Sequence, residues 1–87
     1  MNGYQIEISH GAQAGTRDAQ WRPGEWGATL AQAREAMADF FGAHLDKEDR
    51  GEDCENEWRK LIEQARTAEV GDVLAFDEVA ARIIKED

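Results

Sequence analysis

Apolar and polar side chains alternate through Tyr4-Gln5-Ile6-Glu7-Ile8-Ser9. A period of two predicts a half-buried strand with Tyr4, Ile6 and Ile8 on its inner face. The small residues from His10 to Gly15 then read as a turn or loop, and Thr16 to Trp21 as a candidate returning strand. Arg22-Pro23-Gly24-Glu25 has the composition of a turn, because proline fixes one dihedral and glycine accepts a positive one. The period changes after Ala28. Thr29-Leu30-Ala31-Gln32 has the form of a capping box, in which the Thr29 hydroxyl accepts from the Gln32 N–H and the Gln32 side chain reaches back to Thr29. Leu30, Ala33, Met37, Phe40, Phe41 and Leu45 recur at helical spacing and predict a helix over Thr29–Leu45.

The segment 46–54 breaks the apolar pattern, contains Gly51, and reads as an acidic loop. From Glu55 a second helix is predicted. Trp58, Leu61, Ile62 and Ala65 form its apolar stripe, Glu55 and Arg59 form an i,i+4 pair, and Gly71 is a plausible stop. Val73 to Phe76 reads as a short extended run. Asp77 has the character of an N-cap, and Val79, Ala80, Ile83 and Ile84 fall on one face of a third, short helix. The expected fold is therefore α+β: a short N-terminal β element of one or two strands, packed against a long amphipathic helix, followed by two shorter helices.

The chain has 87 residues, enough for one domain spanning 1–87. A chain of this length buries about 60–65% of the surface its unfolded form exposes, so its core is modest. Hydrophobic residues at 41% are too many for a disordered chain even at a net charge of −9. That charge is uneven: residues 1–45 carry five acids and three bases, and residues 46–87 carry fourteen and seven. An acidic surface repels phosphates, so direct nucleic-acid or anionic-membrane binding is not expected, and basic partners are favoured. No run of 18 apolar residues occurs, and no basic-then-apolar leader precedes the first strand. With one cysteine, Cys54, the expected setting is reducing and cytoplasmic.

Candidate chemistry is sparse. Cys54 sits among Glu52, Asp53 and Glu55, a setting that disfavours the thiolate, so an unreactive thiol is the plainer reading. His10 and His44 are far apart in sequence and form no His-x-x-x-His zinc pair. The loop Asp46 to Asp53 resembles a calcium loop only in charge, because Lys47 and Arg50 break the ligand register. Gly11, Gly15, Gly24 and Gly27 precede no Gly-Lys-Ser/Thr phosphate loop. These observations point away from an enzyme and imply no metal and no cofactor. Three tryptophans remain: Trp21, Trp26 and Trp58. Tryptophan is ordinarily core, but Trp26, beside Gly24 and Gly27, is expected to be partly exposed, as interface anchors are.

The stretch from Ala65 to Ile84, through Gly71, Val73, Glu78, Val79, Arg82 and Ile83, resembles the C-terminal tails of bacterial type II antitoxins. The segment Ala28 to Ala36 looks like the Thr-Leu-x-x-Ala-x-x-Ala helix of HicB-like and phage-borne small α+β domains, without their DNA-binding part. These resemblances imply a small regulator that inhibits or modulates a protein partner bearing a basic or apolar groove. Trp26, Leu61, Ile62, Leu74, Phe76, Val79 and Ile83 are the candidate apolar contacts. Asp46, Glu48, Asp49, Glu52, Asp53, Glu55 and Glu57 are the candidate acidic ones. Two other readings remain: an acidic nucleic-acid mimic acting on a DNA-binding defence complex, and a homodimeric structural protein of a mobile element.

Overall fold

The computed structural model describes residues 3–47 and 52–86. Six elements follow in order: β1 (Gly3–His10), β2 (Arg22–Gly27), α1 (Leu30–Lys47), α2 (Glu52–Ala65), β3 (Val73–Phe76) and β4 (Val79–Glu86). The strands form one sheet in the order β2-β1-β4-β3, and every neighbouring pair is antiparallel. The first and last strands are thus the two central ones, in register from Gly3 opposite Glu86 to His10 opposite Val79. Both helices lie on one face, α1 over β1, β2 and β4 and α2 over β3.

The alternation in β1 is realised. Ile6 is buried, and Tyr4 and Ile8 pack against the core from the same face. Helix α1 starts as its cap predicts: Gln32 N–H donates to Thr29 Oγ1 at 3.1 Å. The reciprocal bond differs, since Gln32 Oε1 accepts from the Ala28 N–H at 2.8 Å and not from Thr29. Ala33, Met37 and Phe41 of α1 are fully buried against Trp58, Leu61 and Ala65 of α2, with the rings of Phe41 and Trp58 6.1 Å apart.

The expected architecture is corrected in its second half. Residues 79–86 form no helix. They are β4, a central strand. Val79, Ala81 and Ile83 face the helices, opposite His10, Ile8 and Ile6. Ala80 on the other face is fully buried as well. A strand covered on both faces loses its polar alternation, and the apolar residues at 79, 80, 83 and 84 then coincide with a helical stripe. Asp77 is not a helix cap. It and Glu78 form the two-residue turn of the β3–β4 hairpin, with φ of 52° and 63°. Positive φ at both central positions is the type I′ geometry, whose twist matches that of the strands.

Two other boundaries move. The expected turn Arg22-Pro23-Gly24-Glu25 lies inside β2, and the candidate strand Thr16–Trp21 is turn and coil. Proline and glycine are tolerated there because β2 is an edge strand with a bulge. The register shifts so that Gly24 and Glu25 together oppose Ile6. Helix α2 ends at Ala65, well before Gly71. Gly71 instead belongs to the turn into β3, at φ 93°, and donates its N–H to the Ile83 carbonyl. Of the acidic loop expected over 46–54, residues 46–47 belong to α1 and 52–54 to α2, and 48–51 lie outside the described residues.

Candidate functional site

The face of the sheet opposite the helices is the most distinctive surface of the molecule. Strict alternation fixes which side chains it presents. Strand pairing then aligns them in rows across the sheet. One row runs Trp26, Gln5, Ile84, and the next runs Pro23, Glu7, Arg82, Val73. A third row holds Ser9, Ala80 and Ala75.

Half of this face is closed by the β1–β2 connection, residues 11–21. Gly11 N–H donates to the Glu78 carbonyl at 2.8 Å, which ties the connection to the β3–β4 turn. Gly15, at φ 80°, lies directly on the third row. A Cβ there would come 2.7 Å from the Ala75 Cβ, so only glycine lets the backbone approach this closely. Under the connection, Ala80 is fully buried and Ser9 is 2% exposed, with its hydroxyl finding no hydrogen-bond partner among the described residues. At the far end of the connection the Trp21 ring sits 4.2 Å from the Arg82 guanidinium carbon. Arg82 also donates to Glu7 Oε1, from Nη2 at 2.6 Å and from Nε at 2.7 Å. This ion pair and cation–π contact mark the border between the covered and uncovered halves.

Beyond that border the face is open. Trp26 is 45% exposed, as its glycine-flanked position predicts. Its ring lies over Gly3, where an added Cβ would stand 2.2 Å from it. The Gln5 side chain beside it is fixed by donating to the carbonyls of Gly24 at 2.9 Å and Glu25 at 3.2 Å, which also satisfies the bulge. Ile84 is half-buried, and Val73 is 43% exposed. The result is a strip in which Trp26 and Ile84 flank the anchored Gln5, with the large aromatic at its edge and a fixed charge pair at its back.

The other expected apolar contacts lie elsewhere. Leu61, Val79 and Ile83 are buried in the core, and Ile62, Leu74 and Phe76 pack against it from partly exposed positions. Of the acidic candidates, Glu55 and Glu57 are exposed on α2 and paired along it. Glu55 Oε1 lies 2.6 Å from Arg59, and Glu57 lies 3.6 Å from Lys60. Glu48 and Asp49 fall outside the described residues, and the side chains of Asp46, Glu52 and Asp53 are likewise not described.

The two histidines, distant in sequence, meet at one end of the fold. His10 ends β1, His44 lies in the last turn of α1, and their rings are 5.9 Å apart. His44 stacks on Trp58 at 5.2 Å and 10°, and Phe40 contacts both imidazoles edge-on. Sequence reasoning misses this cluster because it depends on the β1–α1 placement, not on spacing. Among the described residues no group of three or more His, Cys, Asp or Glu side chains is arranged to hold a metal ion. Cys54 is a half-buried free thiol. An apolar cleft of about 320 Å³ lies between α1 and β2, walled by Ile6, Ile8, Ala36 and Phe40 with Asp39 and Glu25. Among the described residues no helix is long and apolar enough to cross a membrane. No protein-family model matches the chain, and no curated protein or solved structure does either.

Proposed function

We propose that the chain is a protein-binding regulator whose contact surface is the open half of the helix-free sheet face. The observation that carries this reading is Trp26. It is the most exposed of the large apolar residues, and it stands in a row with Gln5 and Ile84 on a face that no helix covers. Tryptophan held rigidly by a glycine beneath it and an anchored glutamine beside it loses little entropy on binding, which is the property of an interface anchor. The partner presents a complementary apolar surface, and the net charge of −9 steers a basic one toward it.

The nucleic-acid mimic has less support. The described acids of α2 are largely matched by nearby bases, with Glu55 beside Arg59 and Glu57 beside Lys60 on the helix and Glu63 beside Arg66 just past its end. A mimic needs a row of uncompensated charge. Affinity capture with the tagged chain, washed at low and then high salt, tests the proposal when run beside Trp26→Ala. The expected outcome is a partner that survives high salt with the wild-type chain and is lost with the variant. A partner held equally by the variant and released by salt removes the open-face reading and favours acidic mimicry.

A further inference from the structure

The two edges of the sheet are built differently. Edge strand β2 carries Pro23, a bulge, and the charges of Arg22 and Glu25, all devices that discourage another strand from pairing. Edge strand β3, Val73-Leu74-Ala75-Phe76, has no proline, no bulge and no charge. Its outward groups follow from the hairpin. In a two-residue turn the flanking residues, Phe76 and Val79, form the hydrogen-bonded pair, and alternation makes Leu74 and Ala81 the next one. The N–H and C=O groups of Val73 and Ala75 therefore point away from β4. Among the described residues no hydrogen bond reaches them from any other element. Unpaired strand edges of this kind are templates for β-augmentation.

We infer that the outer edge of β3 accepts an extended segment of a partner protein as a fifth strand, and that this segment carries basic residues at both ends of a short apolar stretch. The inference rests on the reading of the chain as a protein-binding module but uses a different surface. Charge selects the occupant. Asp72, whose Oδ2 accepts from the Glu69 N–H at 3.0 Å, precedes the strand, and Glu78 follows it in the turn, so an acid stands at each end of an uncharged edge. Lysines or arginines flanking the incoming strand meet them. A second copy of this chain is the wrong occupant. Antiparallel pairing of β3 with itself about a twofold axis brings Asp72 of each copy to the Asp77–Glu78 turn of the other. Acid then faces acid at both ends, between two chains that each carry −9.

The probe is a capped peptide with a Val-Thr-Val-Thr-Val centre and paired lysines at each end, titrated into the labelled full chain at low salt. A version with paired glutamates and a version N-methylated at alternate central amides serve as comparisons. The lysine peptide is expected to bind saturably. The glutamate peptide should bind at least about tenfold more weakly, with the gap closing in high salt. The N-methylated peptide should not bind. Ala75→Pro removes an outward N–H without touching the β3–β4 bonds, and it should abolish binding. If that variant does not fold, the N-methylated peptide decides the same point from the ligand's side. Trp26→Ala should leave peptide affinity within about twofold, because the edge lies across the sheet from Trp26. No saturable binding of the lysine peptide overturns the inference. So do equal binding of the glutamate version, retained binding by a folded Ala75→Pro chain, and a dimer seen by light scattering that Ala75→Pro dissociates. A result in which Trp26→Ala loses its captured partner while the lysine peptide fails would keep the open-face reading and sink this one.

Discussion

The sheet has two faces, and they are closed by different means. On one, α1 and α2 supply a continuous apolar layer in which Ala33, Met37, Phe41, Trp58 and Ala65 are all essentially inaccessible. On the other, a single connection folds back over one half and leaves the rest to solvent. The first closure uses large side chains and tolerates little loss. The second uses small ones (Gly15, Ala75, Ala80) and bare backbone, fixed by one hydrogen bond to the Glu78 carbonyl and one arginine under a tryptophan ring. A domain of this size has little apolar material to spare. Spending it on one face leaves the other available for contact.

Substitutions should separate the two faces by size of effect. Phe41→Ala removes a fully buried ring and should destabilise the fold by about 3–5 kcal/mol in urea titration. Val73→Ala on the open face should cost less than about 0.5 kcal/mol. Similar costs for the two would mean that the open face is not open in solution. Arg82→Ala tests the border. It removes the bond to Glu7 and the contact with Trp21, and should cost about 1–2 kcal/mol. A double-mutant cycle with Trp21→Leu should return a coupling of about 0.5–1 kcal/mol, discounted because Arg82 and Trp21 are both partly exposed.

Where the two faces meet at the β3–β4 turn, Glu78→Gly should stabilise the chain by about 1 kcal/mol, read from the urea midpoint. A non-glycine residue held at φ 63° pays a steric cost that glycine avoids. The smallest effect is expected beneath the covering connection. Ser9→Ala removes a buried hydroxyl that has no partner among the described residues and should change stability by less than about 0.5 kcal/mol, or raise it. A clear loss at Ser9 would mean that its hydroxyl has a bond, such as to a bound water, that holds the connection down.

The same contrast explains what could be read from the residues alone. Elements that pack on one side keep their period, so the alternation of Tyr4, Ile6 and Ile8 and the helical spacing from Leu30 to Leu45 lead to β1 and α1. Strand β4 is illegible because apolar residues stand on both of its faces, Val79, Ala81 and Ile83 under the helices and Ala80 and Ile84 on the other, to either side of Arg82. Local composition supplies no sign that a distant glycine, Gly15, will cover Ala80. Strand β2 is hidden for the opposite reason: proline and glycine, which usually end strands, are accommodated by an edge and a bulge. Among the apolar candidates only Trp26 combined the right residue type with neighbours that prevent burial. Leu61, Val79 and Ile83 have the composition of contact residues and the positions of core residues.

The central pairing of β1 with β4 also sets a schedule. The β3–β4 hairpin and the contact between α1 and α2 join neighbouring elements, so they can form early and locally. The β1–β4 ladder, Gly3 with Glu86 through His10 with Val79, closes the longest loop in the molecule. Loop-closure entropy weighs against its forming early, and without it a two-stranded β1–β2 ribbon is marginal in water. A ribosome-bound chain that has not yet released β4 holds that ribbon without its central neighbour. The expected folding signature is a single cooperative phase in which the helical signal and tryptophan fluorescence reach their native values together.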